Sequence, residues 1–323
     1  MITQKELAAM LDLSAATVSR ALAGSGKISQ TTRRRILQAA RRNGCSSRSN
    51  TVALLIPSLT LHGYFGQVCG QLLQELDYSG FRPVILPGKY LELIEELDLC
   101  GAISVFSLNG LEKYWGKNHI MPLVCINTAP NHLEGIFTVS SNDEQAMRTA
   151  VKHLYALGHR KIGRLASHGS LFQENNWNSL ARKASFEQIM SEYVLSSDFI
   201  GAITDDDCFN ALKRLTDSGV TAIIIQDEGF EISVLHALRC MGCRVPEDLS
   251  VISLSFAGVG QKLYPSLTTL EQNFPQIVRC SCDMFRNLLK GEKIPGDIFV
   301  DYSFTPREST ANPPAQRSDG IKA

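Results

Sequence analysis

Leu13-Ser14-Ala15-Ala16-Thr17-Val18-Ser19-Arg20-Ala21-Leu22 carries its own helix start signal. Ser14 can accept a hydrogen bond from the free backbone N–H groups of a first turn, with Thr17-Val18-Ser19-Arg20 inside the helix that follows. Upstream, Thr3 and Glu6 stand three apart, the spacing of a capping box, ahead of Leu7, Ala8 and Leu11 at helical intervals. Asp12-Leu13 leaves room only for a tight turn between the two helices. Downstream, Ala23-Gly24-Ser25-Gly26 ends the second helix and opens a loop. Ser29 or Thr31 can cap a third helix from Thr32 to Asn43, which Gly44 stops.

Charge agrees with this pattern. Residues 1–48 hold nine basic side chains against Glu6 and Asp12, a net +7 in a chain whose 32 basic and 32 acidic residues cancel. The remainder is therefore −7. Three short helices with a tight first turn and this charge describe a helix-turn-helix unit for a polyanion, rather than a solvated basic cap. In such a unit the start of the second helix faces base edges, which here means Ala15, Ala16 and Arg20. Arg20 can pair with guanine or a phosphate. Ser14, Thr17, Ser19 and the arginines of helix three, Arg33 among them, suit phosphate contacts, which position rather than specify. The alanines can touch a thymine methyl but cannot hydrogen-bond a base.

At 323 residues the chain suits two or three domains. It has no run of eighteen apolar residues and opens without a leader pattern, so a cytoplasmic protein with no membrane contact is expected. Nine cysteines, odd in number and scattered, suit reduced thiols. Cys240 and Cys243 flank a helix end, and Cys280 and Cys282 do not face each other on a helix, so neither pair points to a metal. The run 205–207 is a helix cap before it is a cation site. No nucleophile elbow, phosphate loop or zinc-protease signature is present, so no enzyme activity, cofactor or metal is expected.

After the polar run Cys45–Asn50, short apolar segments alternate with helical ones, the mark of parallel α/β layers. Val52–Ile56, 82–86, 101–106 and 123–127 read as strands, with helices near 63–79, 90–97 and 111–118. Asp143 to Leu157 is a well-formed helix. Further strands are expected near 161–166, 199–203, 222–225, 249–254, 267–270 and 299–304.

The stretches Thr17-Val18-Ser19-Arg20 and Ile28-Ser29-Gln30-Thr31-Thr32-Arg33 resemble the paired signatures of LacI-family transcriptional regulators. So do His153-Leu154, Gly158-His159-Arg160, Val245-Pro246-Glu247-Asp248-Leu249-Ser250, Leu267-Thr268-Thr269-Leu270 and Arg307-Glu308-Ser309-Thr310. The resemblance covers about residues 3–310. It implies an all-α head, 1–45, a linker, 46–51, and a periplasmic-binding-protein-like core, 52–310. The core is expected as a first lobe, 52–158 with 274–300, and a second, 159–271 with 301–310; residues 311–323 read as a disordered tail. It further implies a homodimer on an operator and a small-molecule effector, possibly a carbohydrate, in a cleft between lobes. Asn127, Arg182, Asp227, Glu228, Ser255 and Gln272 stand at the family's effector positions.

Three departures matter. Ala15 and Ala16 replace larger polar side chains, Ser255 stands where a sugar-binding aspartate is usual, and the linker lacks the hinge helix whose leucine enters the minor groove. The rival readings are an effector-independent or protein-partnered regulator, and a solute-binding protein without DNA function. The basic head weighs against the latter.

Overall fold

A computed structural model describes residues 2–22, 27–43, 49–57, 63–105, 111–115, 121–128, 136–167, 177–203, 208–255 and 258–314. The loop at 23–26, the linker residues 45–48, the acidic cap at 205–207, Phe256 and Ala257, and the tail from 315 onward lie outside the described residues.

The head consists of α1 (Gln4–Leu11), α2 (Ala15–Leu22) and α3 (Gln30–Arg42). Thr3 and Glu6 form the expected reciprocal cap: Glu6 N donates to Thr3 Oγ1 at 3.2 Å and Thr3 N to the Glu6 carboxylate at 2.7 Å. Asp12 turns the chain at φ 54°, a left-handed geometry that Asp tolerates better than most residues. Ser14 Oγ accepts from Thr17 N at 3.1 Å, and Ser29 Oγ from Thr32 N at 3.2 Å. Helices this short do not persist alone. Leu7, Leu11, Val18, Leu22, Ile36 and Leu37 hold them in one core.

Beyond the head the chain builds two parallel-dominated sheets. The first unit, residues 1–140 with 274–300, contains β1 (Thr51–Ile56), β2 (Arg82–Pro87), β3 (Gly101–Val105), β4 (Leu123–Ile126), β5 (Ile136–Ser141) and β11 (Ile298–Val300). Their spatial order is β11-β5-β4-β3-β1-β2. Helices α4 (Gly63–Tyr78), α5 (Leu111–Trp115) and α10 (Phe274–Leu289) belong to the same unit. The helix expected near 90–97 is a 3-10 helix, Gly88–Glu95.

The second unit, residues 141–273 with 301–323, contains β6 (Ile162–Ser167), β7 (Ile200–Ile203), β8 (Ala222–Ile225), β9 (Ser250–Ser255), β10 (Thr268–Glu271) and β12 (Ser303–Thr305). Its order is β12-β10-β9-β8-β6-β7; β12 runs antiparallel to its neighbour β10, and the other four pairs are parallel. Its helices are α6 (Asp143–Ala156), α7 (Trp177–Glu192), α8 (Phe209–Asp217) and α9 (Glu231–Cys240).

Three expected boundaries shift. The lobe boundary falls after Ser140, not after residue 158, because α6 packs on α7: Ala146, Met147, Ala150, Val151 and Leu154 share a core with Phe186, Ile189 and Met190. The linker is shorter than 46–51. Thr51 already belongs to β1, Ser49 Oγ donates to Asp98 O at 2.5 Å, and Asn50 Nδ2 donates to Gly80 O at 2.7 Å. The tail begins later than 311: Ala311 N donates to Ser250 Oγ at 3.0 Å and Pro313 packs beside Gly158.

The family's histidine and C-terminal signatures meet here. His159 Nδ1 pairs with Thr221 Oγ1 at 2.8 Å and its Nε2 with Ala311 O at 2.9 Å; His153 Nε2 pairs with Thr310 Oγ1 at 3.0 Å. Burial pushes both histidines below their ordinary pKa, which favours the neutral rings. The unfolded chain takes up these protons near pH ~6.5 while the folded chain resists. The melting temperature should therefore hold above that pH and fall as pH drops through and below it. His159→Asn should flatten this slope in a pH series of thermal melts. An unchanged slope would remove His159 as its source.

Candidate effector site and DNA-reading head

The expected effector residues of the second unit gather around one buried cation. Arg182, on α7, is 5% exposed. Its Nε donates to Asp143 Oδ1 at 2.9 Å, Nη1 to Gln226 O at 3.0 Å and Nη2 to Tyr302 Oη at 3.1 Å. The carboxylates of Asp227 and Glu228 lie 3.7 Å and 3.8 Å from its nitrogens. Burial alone would lower the Arg182 pKa; Asp143 and the neighbouring acidic groups outweigh it and hold the guanidinium well above its ordinary value. Burial pushes the Glu228 carboxyl up, against the pull of Arg182.

The fold delivers these groups from separate segments. Asp143 opens α6 just after its cap Asn142, Gln226 to Glu228 follow β8, and Gln272 follows β10. Ends of parallel strands are where open α/β sheets place ligands. Gln272 Nε2 donates to Glu228 Oε1 at 2.5 Å, and its Oε1 accepts from Ser141 Oγ at 2.7 Å. Asp227 Oδ2 accepts from Ser167 N at 2.6 Å. Ser255 ends β9 fully buried, its Oγ without a partner among the described residues; its carbonyl accepts from Gln272 N at 3.3 Å. Carboxylates and amides fixed in this way can receive several hydroxyl groups.

Asn127 belongs to the first unit. It sits at φ 50°, 2% exposed, with its amide bonded to the Tyr64 hydroxyl, and Tyr64 stands edge-on to Phe274 at 5.2 Å. Sequence reasoning missed Asp143 and Tyr302. Tyr302 donates to Asp143 Oδ1 at 2.8 Å and so completes the cradle around Arg182. Asp143 had a signal, an acidic residue one place past a good cap, but helix-start chemistry explained it equally well.

In the head, Ser14, Ala15, Ala16, Ser19 and Arg20 are exposed, and Thr17 and Arg33 are half-buried. Arg20 Nε donates to Ala16 O at 3.0 Å, which lays the side chain along α2. The three arginines of α3 divide. Arg35 Nη2 donates to Leu11 O at 3.2 Å and so closes the end of α1; Arg34 pairs with Glu95; Arg33 has its Nε buried without a partner among the described residues.

A basic three-helix head on a core of two parallel-sheet units, with a ligand-type polar cluster at strand ends, defines a DNA-binding transcriptional regulator. Residues 3–44 match the model for bacterial regulatory proteins of the lacI family, and residues 151–310 match that for the periplasmic binding protein-like domain. The head is thus of the lacI-family type, and the chain resembles LacI-family transcriptional regulators along its length. It is 25% identical to the HTH-type transcriptional repressor CytR of Escherichia coli K12, over 95% of this chain and 96% of that protein. Its fold is similar to that of the regulator CelR in complex with cellobiose, with a TM-score of 0.68 at 21% identity over 96% of this chain and all of that one. It is also similar to the lac repressor dimer bound to operator and an anti-inducer, with a TM-score of 0.67 at 19% identity, over 96% and 99% of the two chains. Among the described residues, no helix is long and apolar enough to cross a membrane.

Proposed function

We propose that the chain is a homodimeric repressor that binds a near-palindromic operator and is controlled by a sugar or sugar-derived effector at the Arg182 cluster. The observation that carries the effector reading is that cluster: one buried guanidinium with Asp143, Asp227, Glu228 and Gln272 around it at the strand ends of the second unit. The cellobiose in the CelR complex supports a carbohydrate. Ser14, Ala15, Ala16, Thr17, Ser19 and Arg20 present the DNA face of α2, with Arg20 reading bases and Arg33 serving a phosphate. No leucine wedge enters the minor groove, because the chain between head and core holds no leucine or hinge sequence.

Selection of random duplexes with the full-length chain tests this. The expected product is a palindrome with half-sites centred about 34–36 Å apart. It should be only weakly bent in a circular-permutation gel and released or tightened by one class of carbohydrate. Recovery of no preferred sequence would remove the operator reading. An operator complex indifferent to every carbohydrate would favour the effector-independent regulator instead.

A further inference from the structure

Arg164 is the third residue of β6 and is 0% exposed. It pairs in register with Ile200 on one side and Ile224 on the other, so its backbone lies inside the sheet of the second unit. Its side chain reaches toward the carboxyl end of β8, where Nη1 donates to Gln226 Oε1. That leaves the opposite edge of the guanidinium. Nε and Nη2 are shielded from solvent and have no acceptor among the described residues, and neither does the Gln226 amide nitrogen.

The two carboxylates that act on Arg164 from a distance, Glu187 and Asp227, do not bond to it. Glu187 lies 3.9 Å from Lys183, and Asp227 accepts from Ser167 and flanks Arg182. The Phe186 ring, 5.9 Å from the guanidinium carbon, offers only a weak cation–π contact. A buried guanidinium with no carboxylate bonded to it is costly even with Glu187 and Asp227 nearby, and an apolar residue at this position would avoid the cost. The Nε–Nη2 edge is the fork that takes both oxygens of a carboxylate or two of a phosphate. It adjoins the Arg182 cluster through one residue, because the Gln226 carbonyl accepts from Arg182 Nη1 at 3.0 Å.

We propose that the effector is acidic: a polyol whose carboxylate or phosphate takes the Nε–Nη2 edge of Arg164 and the Gln226 amide, while its hydroxyls meet the Arg182 cluster. This rests on the effector reading above. Without Arg164 the cluster sets one guanidinium against three carboxylates and would repel an anion. Arg164 brings the count to two guanidiniums against three carboxylates, and its Nε–Nη2 edge is a cationic donor pair that no carboxylate among the described residues already occupies.

Calorimetry on the full-length chain with matched ligands tests the proposal: glucose, glucuronate and glucose 6-phosphate, and the corresponding galactose set. One acidic member should bind at least about 10-fold more tightly than its neutral parent, the carboxylate and phosphate arms identifying which oxyanion is used. Arg164→Leu should cost that ligand about 10- to 100-fold more than it costs the neutral parent. Gln226→Glu supplies a carboxylate from the chain itself. It should raise the melting temperature while costing the same acid affinity, and it carries the test if Arg164→Leu does not fold. Equal binding of acid and parent, or undiminished acid affinity in folded Arg164→Leu, overturns the proposal. Neutral-sugar binding that is lost in Arg182→Ala, with no gain for the acids, overturns it while leaving the effector site standing. A chain that binds nothing in the panel overturns both.

Discussion

Arg182→Ala is expected to abolish the effector response and to lower unfolding stability by about 3–5 kcal/mol, the cost of removing one partner from a buried ion pair. The truncation leaves Asp143, 3% exposed, without the guanidinium that neutralises it, and strips the same counter-charge from Asp227 and Glu228. It also leaves the Gln226 carbonyl and the Tyr302 hydroxyl short of a donor. Burial already pushes the Glu228 carboxyl up, and without the pull of Arg182 it takes up a proton more readily, so the deficit should shrink as pH falls from 7 toward 5. Urea unfolding at several pH values reads this directly. A loss below about 1 kcal/mol, independent of pH, would mean that the cluster is not the electrostatic knot described above.

For the head, Arg20→Ala should weaken operator binding by about 1–3 kcal/mol and flatten the sequence preference at one position in each half-site. Ala15 and Ala16 flank it with no side-chain donor, so the loss cannot be shared among neighbours. Arg33→Ala should act differently, weakening all sequences alike and reducing the salt slope by about 1. Arg35→Ala should destabilise the head, because Arg35 holds the Leu11 carbonyl at the end of α1. Gel-shift titrations over a salt series separate these behaviours. If Arg20→Ala retained full affinity and preference, α2 would not be reading bases through this residue.

The head was nearly complete in the sequence because its signals are local. Thr3, Glu6, Ser14 and Ser29 each act within three residues of themselves, and each makes the cap its spacing implied. The strands were legible for a related reason: buried parallel strands leave continuous apolar runs such as Val52–Ile56. The allocation of α6 was not legible. Whether a helix stays with the strand before it or crosses to the next sheet depends on which apolar face receives it, and Phe186 and Met190 lie far along the chain.

The candidate site divides in the same way. Arg182, Asp227, Glu228 and Gln272 stood at recognisable family positions, and the structure brings them together. Tyr302 and Arg164 did not, and Asp143 opened a family-like stretch without a site role, because the roles of all three come from burial beside distant partners. In a one-dimensional reading Arg164 is simply a basic residue in a strand. Only its complete burial and an edge without a partner among the described residues mark it out.

The anchoring of Ser49 and Asn50 to the first unit has a consequence for how two heads find DNA. Apart from the exposed Arg34–Glu95 pair, head and core are joined by residues 44–48, a tether of at most about 20 Å even when fully extended. Once one head of a dimer is seated, the other is confined to a small volume around the adjacent half-site. Its effective concentration there is on the order of millimolar if the tether spans the gap and close to zero if it does not. Such a regulator senses the ruler as well as the letters of its operator. A half-site moved a few base pairs along the duplex is not read more weakly but passes out of reach.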